Sequence, residues 1–482
     1  MVNARQDFYA RCGILLLAAI VLTAAAWNRG AEYDEQYTLF VTSGTPRPIW
    51  PDAVFTAGDV ALVQAGHADL GAIARDLRRT DVHPPLYFWA VAVWRWVAGD
   101  GLFAVRLLSV SFSLGALAAV GSIALRCGIP PALAMLLTLG CYGFAYTGVI
   151  ARGFALAQML TLLGVASVIS GRRLLAGALL GAAVMTNYLA GFVAAAVFLC
   201  AAPCLALIAG SIPAVSLSAW FFIAQRGSRG GQFPPFELLP ALERLARYGA
   251  ANLTGGLALY VPEAARPVAA GVLACGLLGL AALGIRRWNR IATAPMRRLL
   301  AAAALGPPLG LLALGVIFDN TPIELRYLSF ATPFVALLVA AARPGRIVLA
   351  AILAVQAAAI AGLILRPETM QPAREAANAA ATLAQEGVVL VPRGNDGIGI
   401  VGAFASEAPP ALLLLAIGPD ETPDGIRGRV APFRRVVLAL LAQDAASQAA
   451  IPRMRAAFMH PGWREVGIGL NVVAYQRSAD GD

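Results

Sequence analysis

The sequence predicts a polytopic α-helical membrane protein with a small α/β domain at its carboxyl end, and three observations carry this prediction. Hydrophobic residues make up 59% of the chain and charged residues 13%, with a mean hydropathy of +0.71; a soluble globule needs roughly a quarter of its residues charged. Apolar runs long enough to cross about 30 Å of hydrocarbon recur through residues 12–365. Beyond residue 367, shorter apolar runs alternate with amphipathic stretches, which is typical of an α/β domain.

About eleven segments are predicted to cross the membrane. The first also resembles a signal peptide, because residues 23–26 are small as at a cleavage site, but the acidic motif after it favours a retained anchor. Residues 174–202 are predicted to form two short helices that turn at Asn187 rather than one long helix. The predicted spans are 12–27, 103–125, 131–150, 153–170, 174–186, 188–202, 205–224, 267–285, 299–318, 327–342 and 346–365.

The arginines orient these spans. All 37 basic residues are arginine, and short connections rich in arginine usually face the cytoplasm. This rule holds if the aromatic stretch 84–99 lies in the headgroup layer instead of crossing. The loops 28–102 and 225–266 and the tail from 367 then face outside, so we predict a transmembrane domain over 1–366 and an outer domain over 367–482. The arginines lie between apolar spans and form no basic face, which argues against nucleic acid as a partner.

The tail combines predicted strands and helices. Strands are expected at 387–391, 411–417 and 436–441, and helices at 372–386 and 444–458. The stretch Gly394-Asn395-Asp396-Gly397 is predicted to be a turn rather than a phosphate-binding loop.

Two polar clusters follow the first span. Glu32, Asp34 and Glu35 form the first, and such carboxylates near lipid are costly unless they bind a cation, pair with arginine or handle protons; a helix amino terminus is the simpler interpretation. The second is residues 81–87 (DVHPPLY), whose prolines end one helix and suit the first turn of the next. Asp81 and His83 are therefore expected at the start of the aromatic helix, where a capped helix with an exposed histidine is the alternative.

Two arginines stand apart from the others. Arg152 and Arg326 are the arginines in short connections predicted to face outside, where the charge rule predicts few. Either one alone fits an arginine that extends to the lipid headgroups. Together they indicate that something other than topology keeps positive charge at this face.

These motifs, taken in order, carry a resemblance to a known family. The chain resembles the membrane glycosyltransferases of the GT-C class, specifically the family 39 and 83 group that includes protein O-mannosyltransferases and the aminoarabinose transferases of lipid A. The resemblance covers roughly residues 10–365. The matching motifs are Asp34-Glu35, residues 81–87, Arg106-Leu107-Leu108-Ser109, Ala151-Arg152, Thr186-Asn187-Tyr188 and Arg326-Tyr327.

The resemblance implies a GT-C fold and the transfer of a sugar from a polyprenyl-phosphate carrier to a hydroxyl of a lipid, glycan or protein, with inversion, at the outer face of the inner membrane. By its match to the family motif, Asp34 is the candidate base, and Glu35 is expected to orient it or to share a divalent cation with it. Preorganised arginines stabilise the charge that grows on a leaving phosphate. The residues expected to bind substrate are Asp81, His83, Tyr87, Arg152, Asn187, Tyr188, Glu324, Arg326 and Tyr327.

The chain departs from the family pattern at two places. Several relatives carry a second acidic residue shortly after the outer arginine of the fourth span, but residues 153–162 here contain Gln158 and no carboxylate. Lipid A relatives offer lysine before the paired prolines, where this chain has His83. The sequence therefore establishes no cofactor and leaves a divalent cation open.

Two other functions stay open at this point. A glycolipid transporter or flippase usually shows mid-span charges and internal repeats, whereas the polar residues here gather toward one face. A polysaccharide polymerase or ligase using a lipid-linked oligosaccharide is kept open by the arginines of the loop 225–266, which are Arg226, Arg229, Arg244 and Arg247. The sequence identifies neither the sugar nor the acceptor.

Overall fold

The structure is a computed structural model that describes residues 4–201, 204–225, 233–288, 293–367 and 372–478. Its contacts divide the chain into two compact units. The helical unit comprises Met1–Trp27, Ala74–Tyr87 and Arg106–Arg366, and the α/β unit comprises Asn28–Ile73, Phe88–Val105 and Pro367–Asp482. The α/β unit thus joins most of the predicted first outer loop to the carboxyl-terminal tail.

The described residues form helices along most of the chain. In order, they are α1 (Ala4–Asn28), α2 (Tyr33–Ser43), α3 (Ala57–Gln64), α4 (Leu70–Thr80), α5 (Leu86–Ala98), α6 (Leu102–Arg126), α7 (Pro131–Gly140), α8 (Tyr142–Gly148), α9 (Phe154–Ile169), α10 (Arg173–Thr186), α11 (Ala190–Cys200), α12 (Leu205–Ala224), α13 (Leu238–Thr254), α14 (Arg266–Arg286), α15 (Ala294–Phe318), α16 (Thr332–Ala342), α17 (Arg346–Leu365), α18 (Ala373–Ala384), α19 (Gly399–Glu407), α20 (Pro423–Arg429) and α21 (Ala445–Phe458).

Six helical segments among the described residues are long and apolar enough to cross a membrane. They are Arg5–Asn28, Leu102–Arg126, Leu205–Ala224, Glu263–Arg286, Ala294–Phe318 and Arg346–Leu365. Helices α5, α7, α9, α10, α11 and α16 are apolar but shorter. The predicted helical chain with several apolar spans is therefore confirmed, while the total of eleven crossings and the interfacial position of 84–99 stay predictions.

Two details of the predicted spans are decided by the helix boundaries. The turn at Asn187 is confirmed, because α10 ends at Thr186 and α11 begins at Ala190. The single helix predicted over 131–150 is wrong, because Cys141 adopts an extended backbone between α7 and α8. Glycine is a poor helix former, and glycines at positions 140 and 143 flank this break.

The α/β unit is built on a six-stranded sheet. Its strands are β1 (Phe55–Thr56), β2 (Val388–Pro392), β3 (Leu413–Ile417), β4 (Arg435–Ala439), β5 (Trp463–Gly469) and β6 (Val472–Arg477). The order across the sheet is β1-β3-β2-β4-β6-β5. Strand β2 pairs in parallel with β3 and β4, and the other pairs are antiparallel. The predicted strand runs and the helices at α18 and α21 are present, but β1 comes from the first loop, which the sequence did not indicate.

Helices cover both faces of this sheet. Every residue of β2 is buried, as expected of a parallel strand between two helical layers. On one face Val389 and Val391 pack with residues of α18 and α19, and on the other Val388 and Leu390 pack with residues of α20 and α21. The chain moves from β2 to β3 on one side and then to β4 on the other. The loops after β2 and β4 therefore flank the topological switch point, where open α/β sheets usually bind ligands.

Candidate active site

The predicted site residues fall in both units. Asp34 and Glu35 belong to the α/β unit, and the expected substrate-binding residues from Asp81 to Tyr327 belong to the helical unit.

In the helical unit, Asp81, His83 and Arg152 form a chain of polar contacts. The Asp81 carboxylate is buried, and its Oδ1 lies 2.8 Å from Nδ1 of His83. Nη2 of Arg152 lies 3.0 Å from Nδ1 and 3.1 Å from Nε2 of the same ring. A proton on Nδ1 satisfies both neighbours, because Nδ1–H then donates to Asp81 while Nε2 accepts from Arg152.

The charge state of Asp81 follows from these contacts. Burial alone would raise the pKa of its carboxyl, but His83, Arg152 and the backbone N–H of Val82 together hold the pKa well below its usual range. Asp81 is therefore an anion throughout the physiological pH range. A buried anion beside a histidine fixes the orientation and tautomer of the ring that contacts Arg152.

Gln225 holds the segment before His83, and sequence reasoning did not single it out. This fully buried amide donates to the carbonyl of Leu77 at 2.8 Å and to that of His83 at 2.9 Å. Its Oε1 accepts the hydroxyl of Tyr188 at 2.9 Å. The predicted residue Tyr188 therefore supports the backbone of predicted residue His83 through Gln225, which lies at the end of α12.

A close backbone approach joins three of the predicted motifs. Gly153 follows Arg152, and a Cβ at this position would lie 2.9 Å from the carbonyl oxygen of Thr186 and 3.3 Å from Cβ of Tyr87. Tyr87 is buried, with its hydroxyl 3.2 Å from that of Ser109. The motifs around Tyr87, Arg152 and Thr186 are therefore brought together by a position where only glycine fits.

Asn187 has a structural role in this arrangement. It is buried, ends α10 in an extended conformation and accepts the backbone N–H of Leu189 through Oδ1 at 3.0 Å. It thus makes the turn that leads into α11 and presents Tyr188.

The second arginine lies in a 3₁₀ turn, Leu325–Phe330. Nε of Arg326 lies 2.7 Å from Oε2 of Glu324, and its guanidinium lies 5.4 Å from the ring centre of Tyr327. The Tyr327 ring in turn stacks on Phe154 with 6.5 Å between centroids. The turn that carries Arg326 therefore packs against the start of α9, two residues after Arg152.

Two buried amides hold this turn. Gln158 donates to the hydroxyls of Thr147 and Ser329, each at 3.0 Å. Asn252 of α13 donates to the Leu325 carbonyl and accepts the Thr332 hydroxyl at 2.5 Å. Gln158 is thus a neutral bridge between two hydroxyls, and Asn252 is a second contributor that the sequence did not indicate.

An apolar cavity of about 630 Å³ opens beside the turn. Residues of α13, α14, α15 and α16 line it, and its lining reaches Leu328, Ala331, Thr332 and Asn252. The cavity and the turn that carries Arg326 therefore share Leu328.

In the α/β unit, Glu35 and Glu32 stabilise the start of α2. The Glu35 carboxylate is fully buried and accepts the backbone N–H of Glu32 at 3.0 Å, as in a capping box. Glu32 pairs with the buried Arg29 at 3.1 Å. Asp34 lies between them and is partly exposed. The helix-start interpretation thus accounts for Glu32 and Glu35 through their contacts, and Asp34 lies in the same first turn, where acidic residues are favoured.

No group of three or more histidine, cysteine, aspartate or glutamate side chains fit to hold a metal ion is found within the described ranges. One Glu35 oxygen accepts the N–H of Glu32 at the helix start. The predicted sharing of a divalent cation between Asp34 and Glu35 stays a prediction.

The loop 225–266 carries four arginines. Arg226 and Arg229 lie outside the described residues, and Arg244 and Arg247 lie on α13.

Comparisons with known proteins identify the fold. No family model matches the sequence, and no curated protein matches it. The crystal structure of ArnT from Cupriavidus metallidurans in the apo state matches with a TM-score of 0.54 at 12% sequence identity, over 98% of this chain and 98% of that chain. The structure of ArnT from the same organism bound to undecaprenyl phosphate matches with a TM-score of 0.50 at 14% identity, over 97% and 98% of the two chains. The chain therefore shares the fold of these ArnT structures, and the predicted resemblance is confirmed at the level of the fold.

Proposed function

We propose that this chain is an inverting glycosyltransferase that moves a monosaccharide from a polyprenyl-phosphate donor to a hydroxyl of a lipid, glycan or protein acceptor at the outer face of the bacterial inner membrane. The observation that carries the proposal is the apolar cavity whose lining includes Leu328 of the Arg326 turn. A polyprenyl phosphate is an apolar chain with an anionic end, and this pairing of surfaces suits such a molecule. The shared fold with an ArnT that binds undecaprenyl phosphate supports the same ligand class.

The reaction assigns a task to each group of residues. The acceptor hydroxyl loses its proton as its oxygen attacks the anomeric carbon, and we assign the base to Asp34. A positioned base contributes about 10²- to 10⁴-fold to the rate. The bond from the anomeric carbon to the phosphate oxygen breaks with its electron pair, leaving polyprenyl phosphate. Attack from the opposite face inverts the anomeric centre.

The growing phosphate charge needs fixed cations in a water-poor place. Arg326 and Arg152 are the proposed cations, because each is held by neighbours that limit its movement: Glu324 for the first, and Asp81 through His83 for the second. Arginine can meet two phosphate oxygens with one planar group. His83 is proposed to orient Arg152, because the tautomer that donates to Asp81 through Nδ1 accepts from Arg152 through Nε2.

Turnover by purified protein in liposomes tests the proposal. The donors are a panel of polyprenyl-phosphate monosaccharides, a membrane extract supplies acceptors, and released polyprenyl phosphate is the readout. We expect release with one sugar and a loss of about 10²-fold or more in Asp34→Asn. Asp52→Asn, an exposed carboxylate of the same loop, is the matched control and should retain turnover.

Other results would redirect the assignment. Release only from a lipid-linked oligosaccharide would indicate a polymerase or ligase. Full turnover by a folded Asp34→Asn protein would show that Asp34 is not the base. Movement of intact donor across the bilayer without release would indicate a flippase.

A further inference from the structure

The switch point of the α/β unit is occupied by side chains of α2. The hydroxyl of Tyr33 donates to Oδ2 of Asp444 at 3.2 Å, and the same oxygen accepts the backbone N–H of Asn395 at 2.8 Å. Asp444 follows β4, and Asn395 follows β2. The crevice where such a sheet usually binds a ligand therefore receives the residue immediately before Asp34.

The loop after β2 is shaped for this contact. It makes the predicted turn, with the N–H of Gly397 donating to the carbonyl of Gly394 at 2.9 Å, and the Asp396 carboxylate accepts the N–H groups that open α19. Burial is the main cause, and the negative charge of Asp396 the second, that raises the pKa of both Tyr33 and Tyr37 far above the ordinary value for tyrosine. Both phenols therefore remain neutral hydroxyl groups that can donate to the carboxylates of this crevice.

The packing of α2 on α19 is also close. A Cβ at Gly399 would lie 2.6 Å from the Tyr33 ring, and one at Gly402 would lie 2.8 Å from Oε1 of Gln36 and 3.0 Å from the Phe40 ring. Tyr33, Gln36 and Phe40 share one face of α2, and Asp34 projects about 100° away from Tyr33 around the helix. The packing against Gly399 and Gly402 thus fixes α2. Asp34 lies beside the face of α2 that packs on α19 and is not part of it.

A second anchor holds the chain just before α2. Arg374 of α18 pairs with Glu407 of α19 at 2.7 Å and donates to the carbonyls of Asn28 and Arg29 at 2.8 and 3.1 Å. The other Glu407 oxygen accepts the N–H of Ala31 at 2.6 Å. Residues 28–31 are therefore held by a charged pair from the tail, independently of the Tyr33 contact.

We propose that the carboxyl-terminal tail positions the base: Asp444, the glycine face of α19 and the Arg374–Glu407 pair act as positioning residues that fix the direction of α2 and so the place of Asp34. The inference rests on the proposed function for the role of Asp34, but the docking of α2 is a separate claim. The tail then contributes to catalysis by positioning Asp34, and none of these residues needs to touch a substrate.

The test measures docking and turnover in the same full-length protein. Tyr33→Phe removes only the hydroxyl that donates to Asp444. Gly399→Ala places a Cβ against the Tyr33 ring and so disturbs the packing of α2 on α19. Tyr475→Phe, a buried tyrosine of the same sheet, is the matched control. Hydrogen exchange of residues 33–43 reports local opening, and kcat and KM are measured with the donor that the liposome panel identifies.

We expect about tenfold faster exchange in 33–43 for both variants, since a hydrogen bond to a charged group is lost or strained. We also expect about a tenfold lower kcat with KM within about twofold, because positioning a base acts on the chemical step. The double variant should lose less than the product of the single losses, because both changes act on one contact. The control should match the wild type in every measurement.

The two claims fail in different ways. Unchanged exchange in both variants would overturn the docking, whatever reaction the protein catalyses. Faster exchange with unchanged kcat would overturn the positioning role. If no donor is turned over by the wild type, the proposed function fails, while the exchange data still decide whether the tail holds α2.

Discussion

Gly153 joins the motifs of Tyr87, Arg152 and Thr186, and its lack of a side chain permits the contact. Gly153→Ala would force Cβ to within 2.9 Å of the Thr186 carbonyl oxygen, so we expect a loss of about 1–3 kcal/mol of stability and a fall in turnover as Arg152 moves. Thermal unfolding in detergent and the liposome assay measure the two effects. Gly13→Ala is the control, since its Cβ would meet nothing within 4 Å. An equal Tm for the two variants would contradict the tight junction.

The lowered pKa of Asp81 predicts a pH dependence. Its folded pKa lies below the unfolded value of about 3.9, so its ionisation stabilises the folded state above that pH and the contribution is lost as pH falls through the folded pKa. The stability difference between wild type and Asp81→Asn should therefore shrink as the pH falls below about 4. Unfolding midpoints between about pH 5 and pH 2 measure it. A difference that stays the same over this range would contradict the lowered pKa of Asp81.

At the scale of elements, the end of α12 supports the segment that precedes α5. Gln225→Ala would leave the carbonyls of Leu77 and His83 without the amide they share, and each buried unpaired polar group costs about 1–3 kcal/mol. We expect a lower Tm and a raised KM for the donor, because His83 and Arg152 lose a fixed frame. Tyr188→Phe, which retains both carbonyl contacts, should show a smaller effect. If Gln225→Ala matched Tyr188→Phe, the carbonyl bonds would have no part in the frame.

The cavity between α13, α14, α15 and α16 gives a prediction with a neighbouring control. Ala281 of α14 lines it, whereas Ala282 is exposed and is absent from its lining. A tryptophan at 281 fills space that a prenyl chain would use, so Ala281→Trp should weaken binding of undecaprenyl phosphate by about tenfold or more, given that each buried CH₂ contributes about 0.8 kcal/mol. Ala282→Trp should bind as the wild type. Equal binding by both variants would remove the cavity as the lipid site.

The sequence predicts elements better than their partners, and α2 illustrates why. Apolar length identified the spans, and a pair of glycines explains why 131–150 breaks, because these signals are local. The contact of Tyr33 with Asp444 joins residues far apart in the chain, and the sequence around either residue does not indicate the other as its partner. Gln225 and Asn252 were missed for the same reason: a single amide at a helix end or on an amphipathic helix has no signal until its partners are known.

At the scale of the whole molecule, the motif resemblance covered roughly residues 10–365, whereas the structural match extends over 98% of the chain and includes the tail, where no motif was found. A fold tolerates wide sequence change as long as apolar patterning is kept, so the spans remained recognisable. The assignment of sugar and acceptor depends on the shape of a binding site, and pattern and spacing carry no such information. The long-range contacts that build the α/β unit from the first loop and the tail are likewise set by packing.

The distribution of arginine makes a prediction about the orientation of the molecule. Arg172 lies exposed in the short connection between α9 and α10, and Arg173 begins α10. The positive-inside rule assigns this connection to the cytoplasm, and the proposed donor site then requires the loop 28–102 to face outside. We expect a membrane-impermeant thiol reagent applied to intact cells to label Asp52→Cys but not Arg172→Cys, each in a chain whose six native cysteines are replaced. Both should be labelled after permeabilisation, which controls for access. Labelling of position 172 alone would place Asp34 on the cytoplasmic side, where the proposed transfer at the outer face could not occur.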